Sequence, residues 1–492
     1  MKVKKFLDKI HLPVWLLILL SFVLILRIPS LFEPYYYGDE MISLAVGEAI
    51  KKGVILYKGI HDNKPPLLYL ISAFAGNLFW LKAILAFWNI GSIILFWRLA
   101  ETLFPKKEKL HKIATSAFAI LTTIPLLEGN TVNGEILMIG PSIAAFLLLF
   151  SAKHTFRNLF WAGILFSIAI LIKVPAIFEV PVLIIFWLIQ SDLKKGNLKD
   201  IFLKILYLLA GLLLPILLTL LYFWLKGALQ DYLKAAFLQN IGYLSTFRPG
   251  DVQKAFLLRN LPLIIRGVIV AGGIILLVIL RKRLSSQFIF ATTWLLFALF
   301  AATLSERPYP HYLIQAVPAI SFLLAILFSE KTLEQTLVIL PLTLAFFVPI
   351  YYKFYYYSTS SYYLRFFKFA IHLIDKNKYF AEFEKTVNRN YEIANFLVKS
   401  SRPDERIFVN GDTPAIYALT RRLPAGKYLA DYHISDFSSR ETEAKILQEQ
   451  KPSFIILLPE ARPFAQVFPV LRNSYILISN IDGAEIWKSI KK

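Results

Sequence analysis

Between two long apolar stretches lies a polar segment, YYYGDEMISLAVGEAIKKGVILYKGIHDNKPPLLYL, which gathers Asp39, Glu40, Glu48, His61, Asp62, Asn63 and Lys64 within Tyr35 to Leu70. A carboxylate can take a proton from a weak nucleophile, and an ammonium can neutralise an anion. Ionisable groups held beside hydrocarbon are costly to desolvate and seldom sit there without a task. The segment is therefore read as the active site.

Within it, Glu40, Ser43, Gly47 and Lys51 recur at helical spacing, Ile42, Ala45, Val46, Ala49 and Ile50 form the other side, and Lys51, Lys52 and Gly53 make a helix end. This predicts a short amphipathic helix lying in the membrane interface with Asp39 at its mouth. Asp39 there also suits a helix N-cap, and the two roles are compatible. Lys64 precedes two prolines, each of which fixes its own backbone and drives the residue before it toward an extended conformation. Lys64 then projects from a stiff segment, as a phosphate headgroup would require, or it snorkels at a span end. His61 either joins Asp39 or Glu135 around a metal or is a neutral interfacial histidine.

The elements that must position these groups follow from composition. The chain has 492 residues, 57% hydrophobic, 15% aromatic and 18% charged, with a mean hydropathy of +0.57. That is too apolar for an ordinary soluble domain and reads as a polytopic α-helical membrane protein. The net charge of +21 lies largely in short loops between apolar runs, where it acts as a topology signal, so nucleic acid is not expected as a partner. Cysteine is absent, which excludes disulfides, thiolate nucleophiles and Cys-ligated metals.

After the basic stretch MKVKKFLDKIH comes PVWLLILLSFVLILRIPSLF, read as a retained first span and not a signal peptide. Further spans are expected at Leu81 to Phe104, Ile113 to Leu127, Ile136 to Phe150, Phe156 to Ile172, Ile177 to Ile189, Ile201 to Trp224, Leu263 to Leu280, Phe288 to Leu304, Tyr312 to Phe328 and Leu333 to Tyr352. The total is about eleven, several of them short for the usual length of ~20 residues. With a cytoplasmic N-terminus, PKKEKLHK, AKHTFRN, SDLKKGNLKD, RKRLSSQ and SEKTLEQ face the cytoplasm, in line with the positive-inside bias. The first loop, EGNTVNGE, the long loop from Gly227 to Asn260 and SERPYPH then share the extracytoplasmic face with the C-terminal region. Residues 1–352 are thus read as the membrane domain, with its active-site loop at 33–80, residues 353–384 as an interfacial aromatic linker, and 385–492 as a soluble α/β domain. In that domain RIFVNG, SFIILLP and SYILIS read as strands, RETEAKILQEQKP as a helix between two of them, and a parallel sheet is expected.

A first span ending in Arg-x-Pro, then GDE, then DNKPPLLYL before the second span, resembles the GT-C membrane glycosyltransferases. The closest branch is that of the protein O-mannosyltransferases and the bacterial aminoarabinose transferase of lipid A. NGEILMI, LIKVPA and ERPYPHYLIQAVPA extend the resemblance over most of the membrane part; the soluble tail matches less. The resemblance implies inverting transfer of a sugar from a polyprenyl-phosphate carrier to an acceptor hydroxyl of a lipid, glycan or protein on the outer face. It makes Asp39 and Glu40 catalytic, with Asp39 as the general base, and Lys64 the ligand of the leaving phosphate, assisted by Arg307 and His311. Glu135, His61 and Asp62 are assigned to acceptor orientation or to a divalent metal. Asn63 stands where the aminoarabinose transferase has an acidic residue, which puts a metal site copied from that enzyme in doubt. Lys173 is read as snorkelling, with donor binding as its other role. A carrier translocase would show paired repeats with polar groups near the midplane, and a non-catalytic scaffold would leave Asp39, Glu40 and Lys64 without a task.

Overall fold

A computed structural model describes residues 12–151, 154–191, 195–240, 256–305, 307–329, 332–462 and 464–490. The basic N-terminal stretch to His11, residues 241–255 of the long outer loop and Glu306 lie outside the described residues. Eight described helices are long and apolar enough to cross a membrane: Val14–Phe32, Leu78–Leu103, Gly134–Ser151, Gly196–Leu225, Asn260–Leu280, Ser286–Thr303, Pro310–Leu327 and Leu333–Tyr351. The segments expected to be the third, fifth and sixth spans form shorter helices, Glu108–Leu121, Phe156–Ile172 and Glu179–Gln190. The chain is an integral, multi-pass membrane protein.

The chain divides into two compact units. One comprises Met1–Ser30, Ala83–Thr219 and Asn240–Thr359; the other comprises Leu31–Lys82, Leu220–Gln239 and Ser360–Lys492. The polar loop that contains Asp39 and Lys64 therefore clusters with the C-terminal region.

In the first unit, Ser286–Thr303 and Pro310–Leu327 are 78% buried, whereas Asn260–Leu280 is only 11% buried. Hydrocarbon is as good a solvent as water is poor for these apolar faces, so their exposure in a bilayer costs little and close packing decides which helices meet. Rings fill the interior: Phe96 stacks on Phe118 and on Phe322, centroids 4.3 and 4.5 Å apart. At one crossing the backbones themselves touch. A Cβ on Gly163 would lie 2.1 Å from the Leu208 carbonyl oxygen, and one on Gly211 would lie 1.9 Å from that of Phe160. Only glycine permits this approach.

In the second unit the helix predicted after Asp39 is present as Gly38–Lys51, but it does not lie on a surface. Its polar side, Glu40, Ser43 and Gly47, is as buried as its apolar side, Ile42, Val46 and Ala49. It packs against Leu67–Ala75 so closely that a Cβ on Gly47 would stand 2.6 Å from the Ala73 nitrogen. The amphipathic pattern marked two packed faces, one of which is polar because it meets buried charge.

The C-terminal sheet has four strands, β1 (Ile407–Asn410), β2 (Phe454–Leu457), β3 (Tyr475–Ile481) and β4 (Ala484–Ser489), in the order β1-β2-β4-β3. The parallel expectation holds for β1 and β2 alone. β4, which the sequence reading missed, inserts antiparallel between β2 and β3. Asp482 and Gly483, with φ of 46° and 80°, form the tight turn of the β3–β4 hairpin, and Asp-Gly is the residue pair that such turns favour.

Replacing Gly211 with leucine forces apart the helices Phe156–Ile172 and Lys195–Leu225. Overpacking of this kind costs about 1–3 kcal/mol. We expect a lower melting temperature of the purified protein in detergent, followed by tryptophan fluorescence; an unchanged one would refute the close crossing.

Candidate active site

The Gly38–Lys51 helix starts with Tyr37 at the cap position and no side-chain cap bond, so Asp39 lies in the first turn and is not the N-cap. Two consecutive carboxylates in a first turn favour the helix dipole. They also point in different directions, since neighbours on a helix differ by about 100° of rotation.

Glu40 turns inward. The Lys82 ammonium lies 2.8 Å from Glu40 Oε1 and donates to Glu33 Oε2 at 2.7 Å, and the Tyr362 hydroxyl donates to Glu33 Oε1 at 2.5 Å. Lys82, Glu33, Glu40 and Tyr362 are all buried. This cluster is a structural anchor for the first turn, and the sequence reading, which placed Lys82 inside an apolar span, missed it.

Asp39 meets Lys64. Lys64 Nζ stands 3.4 Å from Asp39 Oδ1 and 3.5 Å from Asp62 Oδ2. The Asp39 side chain is 33% exposed and that of Asp62 only 2%, so one carboxylate is accessible and the other is fixed. Two buried tyrosines hold the Lys64 backbone: the Tyr57 hydroxyl donates to the Lys64 carbonyl at 2.8 Å, and the Lys64 N–H donates to the Tyr69 hydroxyl at 3.2 Å. Burial pushes the Asp62 carboxyl up, but the Lys64 ammonium, His433, the Tyr69 hydroxyl and the Asn63 N–H together outweigh it and hold it down at about 2. Asp62 is thus an anion at neutral pH that holds Lys64 in place.

His61 faces the other way. Its ring contacts Tyr428 and Phe437 at centroid distances of 5.2 and 4.9 Å and meets the His433 ring edge-on at 5.8 Å. Burial, followed by the repulsion of His433, lowers its pKa to about 3. His433, 3.7 Å from Asp62, is likewise lowered by burial against the pull of Asp62, so this contact joins a neutral imidazole to a carboxylate. Among the described residues no group of three or more His, Asp or Glu converges as a metal site. Asp39 and Asp62 are both turned to the Lys64 ammonium.

The remaining candidates lie in the other unit. His311 Nδ1 is hydrogen-bonded to the Glu128 carboxylate, both groups being buried. Glu135 is paired with Lys173, whose ammonium sits 4.7 Å from the centre of the Tyr312 ring. Lys173 therefore does not snorkel; its cation reaches a buried carboxylate instead. Arg307 is exposed, and its N–H donates to the Ser305 hydroxyl at 3.4 Å. Glu128 opens the polar stretch EGNTVNGE, and its αL backbone, φ 56°, has no signal in residue type.

Acid sensitivity follows from His61. The unfolded chain protonates this side chain near its ordinary 6.5 and the folded chain only near 3. Stability is lost as pH falls between those values, because the unfolded state binds the extra proton. Asp62 adds a loss only lower, between its ordinary 3.8 and about 2. We expect the melting temperature in detergent to drop from about pH 7 to about pH 5 and the drop to be smaller in His61→Phe, as linkage requires. Identical slopes would contradict burial of a neutral His61.

No protein-family model matches this sequence, and no curated protein does. Among solved structures, the chain is similar to ArnT from Cupriavidus metallidurans bound to undecaprenyl phosphate: 13% identity, a TM-score of 0.57, and coverage of 96% of this chain and 97% of that one. The apo state of the same protein gives a TM-score of 0.55 at 13% identity and the same coverage. The archaeal oligosaccharyltransferase AglB from Archaeoglobus fulgidus, in complex with an inhibitory peptide and a dolichol-phosphate, gives 0.44 at 12% identity, covering 92% of this chain and 70% of that one. This chain has the fold of the aminoarabinose transferase ArnT, the GT-C fold of membrane glycosyltransferases, with a small C-terminal α/β region.

Proposed function

We propose that this chain is an inverting glycosyltransferase that moves a sugar from a polyprenyl-phosphate carrier to an acceptor hydroxyl at the extracytoplasmic face. The observation that carries this reading is the convergence of an accessible Asp39 and an anchored Lys64, 3.4 Å apart, at the start of one helix; an in-line displacement keeps base and phosphate cation further apart, so the substrate parts this ion pair as it enters. Full-length similarity in fold to a protein that binds undecaprenyl phosphate supports the class of donor. The excess of Lys and Arg in alternate short loops supports the orientation, with the N-terminus cytoplasmic.

In this reaction the acceptor oxygen bonds to the anomeric carbon while the bond from that carbon to the phosphate oxygen breaks. The acceptor proton passes to the Asp39 carboxylate, a base within reach of a weak nucleophile. The bonding pair leaves with the phosphate, whose growing charge Lys64 neutralises; a fixed cation does this best where water is excluded. One displacement without a covalent intermediate inverts the anomeric centre. Asp62 holds Lys64 through the cycle, and Glu40 holds the turn that carries Asp39.

Asp39→Asn should lower the rate of transfer by about 10²- to 10⁴-fold, the usual worth of a general base, while undecaprenyl phosphate still binds. Transfer at the wild-type rate would remove Asp39 from the chemistry. Lys64→Ala should weaken binding of undecaprenyl phosphate, measured by calorimetry in detergent; equal affinity would take Lys64 out of the phosphate site. The sugar itself is best found by mass spectrometry of surface glycans and lipids from cells lacking the protein.

A further inference from the structure

The unit that holds Asp39 and Lys64 also contains an open cavity of about 700 Å³ that the chemistry above does not use. Its size is that of a small-molecule site. Three cations line it from three separate segments: Lys58 in the first loop, Arg406 just before β1, and Lys427. Their hydrogen-bond and ring contacts are with neutral groups. Lys58 donates to the Gly227 carbonyl at 3.3 Å, Arg406 donates to that of Pro424 at 2.7 Å, and Lys427 lies 5.4 Å from the centre of the Tyr428 ring. Glu443, the one carboxylate of the lining, interacts with Lys427, and the wall keeps a net positive charge for an occupant to neutralise.

The rest of the wall fits a sugar ring. Tyr428 and Phe437 supply aromatic surface for aliphatic C–H groups, and the Tyr428 hydroxyl, donating to the Phe437 carbonyl at 3.1 Å, locks the two together. Thr442 offers a hydroxyl that can donate or accept. Glu443, buried and accepting from the Ser438 hydroxyl at 3.3 Å, backs this part of the wall.

The same turn that supplies Lys58 also carries Lys64. Between them, the His61 backbone N–H donates to the Lys427 carbonyl at 2.8 Å, and its ring lies against Tyr428 and Phe437. Asp62, the next residue, grips Lys64. An occupant of the cavity thus rests on the segment that presents the leaving-group cation.

We propose that this cavity is the acceptor subsite and that it takes an anionic saccharide, a sugar bearing a phosphate or a carboxylate. The word acceptor rests on the transferase reading; the binding of the saccharide does not.

Glucose 1-phosphate, methyl glucoside, inorganic phosphate and undecaprenyl phosphate are titrated separately into the full-length protein in detergent. Glucose 1-phosphate should bind at least about tenfold more tightly than methyl glucoside or inorganic phosphate, because charge-assisted and neutral contacts add. The double variant Lys58→Glu/Lys427→Glu should lose about tenfold or more of that affinity while its melting temperature and its binding of undecaprenyl phosphate stay as in the wild type. If that variant fails to fold, Lys58→Gln/Lys427→Gln serves in its place. Unchanged glucose 1-phosphate binding overturns the proposal, and inorganic phosphate binding as tightly as glucose 1-phosphate overturns the saccharide. A parallel loss of undecaprenyl phosphate overturns the acceptor assignment in favour of the donor. Failure of the wild-type protein to transfer a sugar from an undecaprenyl-phosphate carrier would defeat the transferase reading while leaving the glucose 1-phosphate binding result standing.

Discussion

A single buried ammonium, Lys82, sets the direction of everything around the site. It is shared by Glu33 and Glu40 at 2.7 and 2.8 Å, and stripping a buried ion of its partners costs about 3–5 kcal/mol. Glu40 cannot leave that contact cheaply, so the first turn of the Gly38–Lys51 helix has one rotation. Asp39, the adjacent residue, is thereby turned to Lys64. The exposed carboxylate owes its position to its buried neighbour.

Lys64 is held with comparable redundancy. Two tyrosine hydroxyls bind its backbone, Asp62 binds its head, and the following Pro65 and Pro66 restrict the chain. Asp62 keeps the ammonium in place when the contact to Asp39 opens, and a preorganised cation stabilises developing negative charge effectively. Lys58 and Gly59 of the same turn line a cationic, aromatic cavity. One short loop therefore joins a group suited to a leaving phosphate to a surface suited to a charged sugar.

Much of this was legible in the sequence. Composition alone placed the chain in a membrane, and the isolation of Asp39, Glu40, Asp62 and Lys64 between apolar runs marked the loop. What stayed hidden depended on partners distant along the chain. Lys82 reads as a stray charge in a span until Glu33 and Glu40 are seen to converge on it, and Lys173 reads as snorkelling until Glu135 is found beside it. The Gly38–Lys51 helix was found in place but misread as interfacial, because periodicity reports two unlike faces and cannot say that both are buried. β4 was overlooked although Asp482-Gly483 announces its hairpin, since β1 and β2 had already suggested a parallel sheet and an inserted antiparallel strand breaks that pattern.

The central claim is that Asp39 and Lys64 grip the two ends of the bond that breaks. Its most direct test is a cryo-electron-microscopy map of the protein with a non-transferable sugar linked to undecaprenyl phosphate. The phosphate should touch the Lys64 ammonium, with the Asp39 carboxylate on the opposite side of the anomeric carbon, facing the position of an attacking oxygen. Phosphate density away from Lys64, or a sugar that turns its anomeric carbon from Asp39, would contradict it.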